Sequence, residues 1–274
     1  MERYEEQYMR NLWTIWKHGK YEKNERTGII TWRLPATQIV VDLADEFPIL
    51  QSKKVFWKTA ADELLWMVQK QSNNINDLNS KIWNKWADPD GSIGKTYGYQ
   101  LNKPMWSQDG QRLFMDQVEY VLETLRKDPS SRQAVLDMWN PEELCEMNLP
   151  PCVYSSVWNI IGGRLNCMVV QRSADYPVGV PFDTTEYAIL VHLFARDLGV
   201  KPGVLTHVMG DSHIYANQIE GVHQLHKNYY SCSRAVPRLR FRQDAPTNFW
   251  EMTVDDFEIY NYHPEGVIQF EVAK

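Results

Sequence analysis

The residues best suited to chemistry begin with Cys152, in "NLPPCVY" (Asn148–Tyr154). Pro150 and Pro151 restrict the backbone that leads to it, and the residues after it read as a strand. A thiolate is a strong nucleophile, and a nearby guanidinium favours that form. The candidate cation is Arg172, in "QRSADYPVGVPFD" (Gln171–Asp183). "IIGG" (Ile160–Gly163) joins the two segments as a hairpin-compatible turn, so contact between Arg172 and Cys152 is geometrically cheap. Without such a cation the thiol reads as a small buried hydrophobe, as do Cys145, Cys167 and Cys232. "GDSHIY" (Gly210–Tyr215) adds Asp211, His213 and Tyr215. On a strand, His213 and Tyr215 point to one face, where they can serve a sugar hydroxyl as donor and acceptor. Asp183 closes the dense stretch where a helix should start. It reads either as an N-cap or as a group that reads a ligand.

Such groups need rigid supports. Apolar spacing predicts helices over Glu2–Lys17, Lys58–Gln71, Phe114–Lys127 and Asp183–Leu198, the last apolar and central. Period-two alternation predicts strands through Ala134, Leu136 and Met138, through Leu165, Cys167 and Val169, and through Ile268, Phe270 and Val272. Strands and helices do not alternate regularly enough for a doubly wound sheet, so the expected class is α+β, a mixed sheet packed with helices. No linker, repeat or low-complexity segment divides the chain, and 11 Trp spread from Trp13 to Trp250 favour one continuous core. Residues 1–274 therefore read as one domain.

Composition narrows the function. A net charge of −6 gives no bulk attraction to nucleic acid or anionic membrane, while a local Arg cluster still suits a small anion. No apolar run approaches the roughly 20 residues of a membrane span. "MERYEEQYMR" has no signal-peptide core. Four cysteines without a C-x-x-C pair fit a reducing, cytoplasmic setting, and no metal site is expected.

Taken in order, the chain reads "ERTG" (Glu25–Gly28), "ELLW" (Glu63–Trp66), "IWNKWAD" (Ile82–Asp88), "GSIGKTYGYQ" (Gly91–Gln100), "DPSSR" (Asp128–Arg132) and "MWNPEEL" (Met138–Leu144). "LPPC" (Leu149–Cys152), "QRSAD" (Gln171–Asp175), "GVPFD" (Gly179–Asp183) and "GDSHIY" follow. This succession resembles the thymidylate synthase family from about residue 20 onward. The resemblance implies a homodimer with shared active sites. It also implies 5,10-methylenetetrahydrofolate as co-substrate and transfer of its one-carbon unit to C5 of a pyrimidine deoxynucleotide monophosphate. Cys152 then matches the nucleophile that adds to C6 of the base, Glu63 the general acid/base, and Tyr97 the proton-transfer tyrosine. Arg26, Gln171, Arg172 and Ser173 match nucleotide-binding positions, and Arg132 the arginine that reaches into the other subunit. His213 and Tyr215 match the pair on the sugar hydroxyl. Ile82, Trp83, Asp175, Gly179 and Phe182 match the folate site, with Lys53 near the folate tail and Asp175 also in the catalytic set.

Three positions depart from the family pattern. Gln133 stands where a second arginine is usual, and Val153 where many members have histidine. Asp183 stands where thymidylate synthases have an asparagine whose amide meets both O4 and N3–H of uracil. An ionised carboxylate offers no donor to O4, whereas cytosine presents an N4 amino donor to which an acid is complementary, with a shared proton satisfying N3. The sequence therefore leads to dCMP, with water taking up the exocyclic methylene to give 5-hydroxymethyl-dCMP. The alternatives are dUMP to dTMP, reductive methylation of dCMP, and, remotely, a catalytically silent nucleotide- or RNA-binding homologue. A phage that modifies its own cytosine would suit the dCMP reading.

Overall fold

The computed structural model describes residues 2–271. Among the described residues six α-helices are formed: α1 (Tyr4–His18), α2 (Trp57–Leu64), α3 (Gly98–Leu101), α4 (Gln117–Lys127), α5 (Gly179–Asp197) and α6 (Ile219–Ser231). They surround two principal sheets. The larger runs in the order Thr37–Asp42, Lys201–Met209, Arg164–Gln171, Val153–Ile161 and Val135–Asp137. Only the pair Lys201–Met209 and Arg164–Gln171 is parallel. The smaller sheet runs Lys20–Lys23, Ile30–Leu34, Ser212–Tyr215 and Ala174–Asp175. The architecture is thus α+β with mixed sheets, as the sequence predicts.

Two neighbouring chains cross from the large sheet to the small one. Arg164–Gln171 continues through Arg172 and Ser173 into Ala174–Asp175, and Lys201–Met209 continues through Gly210 and Asp211 into Ser212–Tyr215. The crossings stay in register because Gly210 N donates to Gln171 O at 2.7 Å and Ala174 N donates to Asp211 O at 2.8 Å. The polar residues of "QRSAD" and "GDSHIY" therefore cluster at one seam. The hairpin through Gly162 and Gly163 forms as expected. Both residues have positive φ, 60° and 73°, which a two-residue turn between twisted strands requires.

Helix α5 is the centre of the core. Residues from Thr184 through Ala195 are all buried. Phe194 lies 4.9 Å from both Trp158 of the large sheet and Phe249, measured between ring centroids. The helix starts four residues before the sequence reading places it. Pro181 hides that start, because proline is tolerated in the first turn, where its missing N–H has no partner to lose. Asp183 is consequently not an N-cap.

The other differences are local. The helix expected over Lys58–Gln71 is α-helical from Trp57 to Leu64 and then widens into a π turn, Leu65–Gln69. Phe114 belongs to a short strand, Arg112–Phe114, and α4 begins after Asp116, whose side chain accepts from Glu119 N at 2.8 Å. Ile268 and Phe270 form no strand, and Val272 lies outside the described residues. Their alternation reflects one-sided packing instead: Phe270 fills the space a side chain would need at Gly221. Among the described residues no helix is long and apolar enough to cross a membrane.

Candidate active site

A cavity of about 530 Å³ opens at the seam of the two sheets, beneath the first turns of α5. Cys152 enters it from the start of strand Val153–Ile161. Arg172 and Cys152 are joined through the backbone, Arg172 N donating to Cys152 O at 2.8 Å. The guanidinium donates to the carbonyls of Pro151 (2.9 Å) and Pro150 (2.8 Å) and lies over the Trp139 ring. The "LPPC" prolines thus supply carbonyls that hold the cation beside the thiol. Even so, the thiol is pushed up. Burial is the largest cause and the charge of Asp183 the second, and Arg172, Tyr97 and Arg26 offset this only in part. Tyr97 accepts from Cys152 N through its hydroxyl at 3.0 Å. Its backbone is left-handed, φ 39°, a strained conformation held by the buried packing around it.

Three carboxyls share one wall. Glu63, near the end of α2, accepts from Trp83 Nε1 at 2.5 Å, and burial raises it to about 8. Asp183 is raised to about 7 by burial, against the hydrogen bond it accepts from Gln171 Nε2 at 2.7 Å. Glu186, one helical turn beyond Asp183, is raised well above the usual range by burial and by the charges of Glu63 and Asp183. These acids hold protons where an exposed carboxyl would not.

Asp175 lies on another wall, raised to about 6 by burial, although Gln218 Nε2 donates to both its oxygens at 3.0 and 2.9 Å. Next to it Ile82, Trp83, Gly179 and Phe182 form an apolar slot. On the strand paired with Asp175, His213 and Tyr215 stand edge to face, ring centroids 5.1 Å apart, on the same side of their strand as expected. His213 Nδ1 lies 3.1 Å from Asp211 Oδ1, and Asp211 also pairs with Arg33. Arg26 and Ser173 line the cavity too, together with Gln171.

Three expected residues lie elsewhere. The Arg172 guanidinium is turned to the proline carbonyls and does not line the cavity wall. Lys53 is buried in an adjoining pocket, donating to Pro177 O at 2.5 Å, and burial lowers it to about 8. Arg132 is exposed and outside the cavity of its own chain. The sequence reading also missed wall residues. Lys81 and Lys85 add cations on either side of Ile82 and Trp83, a signal present in "KIWNK". Glu186 carries a signal too, three residues from Asp183 on one helical face, whereas His207 behind Gln171 has none.

The arrangement brings together a nucleophile, proton-holding acids, an aromatic slot and a cation-bearing end. It suits an anionic sugar ligand with a heteroaromatic ring beside a second flat molecule. Comparison with known proteins agrees. The family model described as thymidylate synthase matches residues 6–274. A thymidylate synthase of Clostridium beijerinckii is 37% identical over the full length of both chains. Thymidylate synthase 1 of Bacillus subtilis is 39% identical over 83% of this chain and 81% of its own. The solved structure of the thermostable thymidylate synthase A from Bacillus subtilis superposes with a TM-score of 0.87, at 35% identity and 99% coverage of both chains. The chain belongs to the thymidylate synthase family, folate-dependent enzymes that transfer a one-carbon unit to C5 of a pyrimidine nucleotide.

Proposed function

We propose that this chain converts dUMP to dTMP, as a cytoplasmic homodimer in which residues 1–274 form one catalytic domain. The supporting observation is the convergence of Cys152, Tyr97, Glu63 and Asp175 on one cavity, in a chain whose relatives are thymidylate synthases. Cys152 adds to C6 of the base, which makes C5 nucleophilic. 5,10-Methylenetetrahydrofolate supplies the carbon and then the hydride, seated on Trp83, Ile82 and Phe182 with Asp175 at its polar edge. Glu63 and Tyr97 hold and move protons near the base, and Lys53 serves the outer part of the folate. Arg26 and Ser173 on the cavity wall take the phosphate, Arg172 joins them by turning its guanidinium from the Pro150 and Pro151 carbonyls, and His213 and Tyr215 take the sugar hydroxyl.

Asp183 bears on the choice of base. Asp183 is raised to about 7, so it can hold a proton at the base. A neutral carboxyl presents one O–H donor and one C=O acceptor, the same pair an amide presents to uracil. The second reading, dCMP to 5-hydroxymethyl-dCMP, is served by the ionised form or by a neutral carboxyl that turns its C=O to the N4 amino group and its O–H to N3, with Glu63 and Glu186 adding oxygens to that wall. One assay separates the two: dUMP and dCMP offered separately with methylenetetrahydrofolate, and the products weighed by mass spectrometry. dTMP from dUMP is expected; hydroxymethylated dCMP as the main product would replace this reading with the second.

The dimer has its own support. The outer face of the large sheet carries Val157, Met168, Val170 and Val208, with Met168 40% exposed, an apolar surface suited to a second copy. Arg132 then completes the partner's phosphate site. Mixing inactive Arg132→Ala with inactive Cys152→Ala subunits should restore activity, because one hybrid site holds both intact groups. No recovery despite subunit exchange would rule out a shared site.

A further inference from the structure

Behind Asp183 runs a buried chain of hydrogen bonds that the mechanism leaves unused. Gln171 Nε2 donates to Asp183 Oδ2 at 2.7 Å and to Ser173 O at 3.0 Å. The second bond fixes which way the amide points, because a backbone carbonyl accepts and never donates. Gln171 Oε1 therefore faces His207 Nε2, 2.8 Å away, and that nitrogen must carry a proton. His207 is 1% exposed, and burial lowers it to about 3, so it is neutral and has only one N–H. Its Nδ1 is then an acceptor, and Thr184 Oγ1 stands 2.9 Å from it. The hydroxyl also donates to Val180 O at 2.6 Å, so Thr184 shares its proton between that carbonyl and Nδ1. The sense of the chain is set by the Gln171 amide: His207 to Gln171 to Asp183, with Thr184 holding the far side of the imidazole.

This sense has a consequence at Asp183. An N–H aimed at Oδ2 keeps Oδ2 an acceptor, so the proton of the neutral carboxyl belongs on Oδ1. Among the described residues no protein group bonds Oδ1, and Asp183 lines the cavity. We propose that His207, backed by Thr184, is a positioning residue for base selection, which locks the Gln171 amide so that Asp183 Oδ1 presents a donor to O4 of uracil. This rests on the dUMP reading above. If the lock is removed, the amide can turn its carbonyl to Oδ2, draw the proton there, and leave Oδ1 an acceptor suited to the cytosine amino group.

Two measurements test it. In the wild-type enzyme, ¹⁵N–¹H NMR of the histidine side chains should find the His207 proton on Nε2; a proton on Nδ1 overturns the proposal without any variant having to fold. In His207→Phe, the ratio of kcat/KM for dUMP over dCMP should fall ~10-fold, and in Thr184→Val by a smaller factor in the same direction. Loss of activity on both nucleotides in equal proportion would mean a merely structural role and would overturn the proposal. The two readings fail separately. A wild type that prefers dCMP removes the uracil reading, whereas a wild type that prefers dUMP, with an unmoved ratio in His207→Phe, removes the relay alone.

Discussion

Asp183 lines the cavity, Asp211 stands behind the cavity's His213, and the two are driven in opposite directions. Asp183 projects from the second turn of a buried helix, with an amide as its hydrogen-bond partner and other acids nearby, and is raised to about 7. Asp211 sits on the crossing between the sheets. Burial works to raise it too, but hydrogen bonds from His213 and Arg33 outweigh that and hold it at about 2. The lesson is that the fold assigns protonation by neighbourhood rather than by residue type. Around Asp183 the site is built to carry protons, and around Asp211 it is built to carry charge.

The largest effect comes from removing the chemistry while leaving both acids in place. Cys152→Ser should lose at least ~10³-fold in turnover, since a hydroxyl is a far poorer nucleophile at neutral pH. It should still bind nucleotide, because the rest of the site is unaltered. Near-normal turnover would end the covalent mechanism and leave the acids around Asp183 without a nucleophile to serve.

What the sequence disclosed follows the same division. Residues whose roles need a fixed local setting were legible. The prolines of "LPPC" announce the cradle of Arg172, and the alternation in "GDSHIY" announces that His213 and Tyr215 share a face. Most of the candidate residues were therefore placed in one cavity by their motifs. Properties set by tertiary burial were not legible. Asp183 reads as an ionised carboxylate in the sequence, because nothing local says that α5 starts at Gly179 and carries the side chain into the core. His207 looks like an inward strand residue, and only the parallel pairing of its strand with Arg164–Gln171 brings it to Gln171. The π turn after Leu64 likewise has no sequence mark.

Next in size is a direct conversion of Asp183. Asp183→Asn replaces a carboxyl that can change its proton with an amide that cannot. On the dUMP reading, wild-type activity falls as pH rises past about 7, where Asp183 ionises and its donor is lost. In the variant that alkaline limb should move to higher pH, with Glu63, Glu186 and Cys152 still titrating around it. Discrimination against dCMP should increase about 30-fold, on the order of 2 kcal/mol, the usual cost of one mismatched buried polar group. The check is kcat/KM for both nucleotides from pH 5.5 to about 9 in both proteins. An alkaline limb unchanged in the variant would show that Asp183 does not set it.

The smallest effect is on stability, and there the two aspartates should respond to pH with opposite sign. Asp183 is raised in the folded state to about 7, above its unfolded value of about 3.9. Folded protein therefore keeps a proton that the unfolded chain releases, and stability falls as pH rises from about 4 to about 7. Asp211 is lowered to about 2, so its contribution is present above about 4 and disappears as pH falls through 2. Asp183→Asn should then gain roughly 2 kcal/mol over wild type at pH 8 and little at pH 4, after allowance for screening by cavity water. Asp211→Asn should lose about 1 kcal/mol at pH 7, a modest figure because its side chain is 31% exposed. Urea unfolding at pH 4, 6 and 8 measures both differences. If Asp183→Asn is no more stabilising at pH 8 than at pH 4, the carboxyl is ionised in the folded enzyme throughout, and the contrast between the two aspartates collapses.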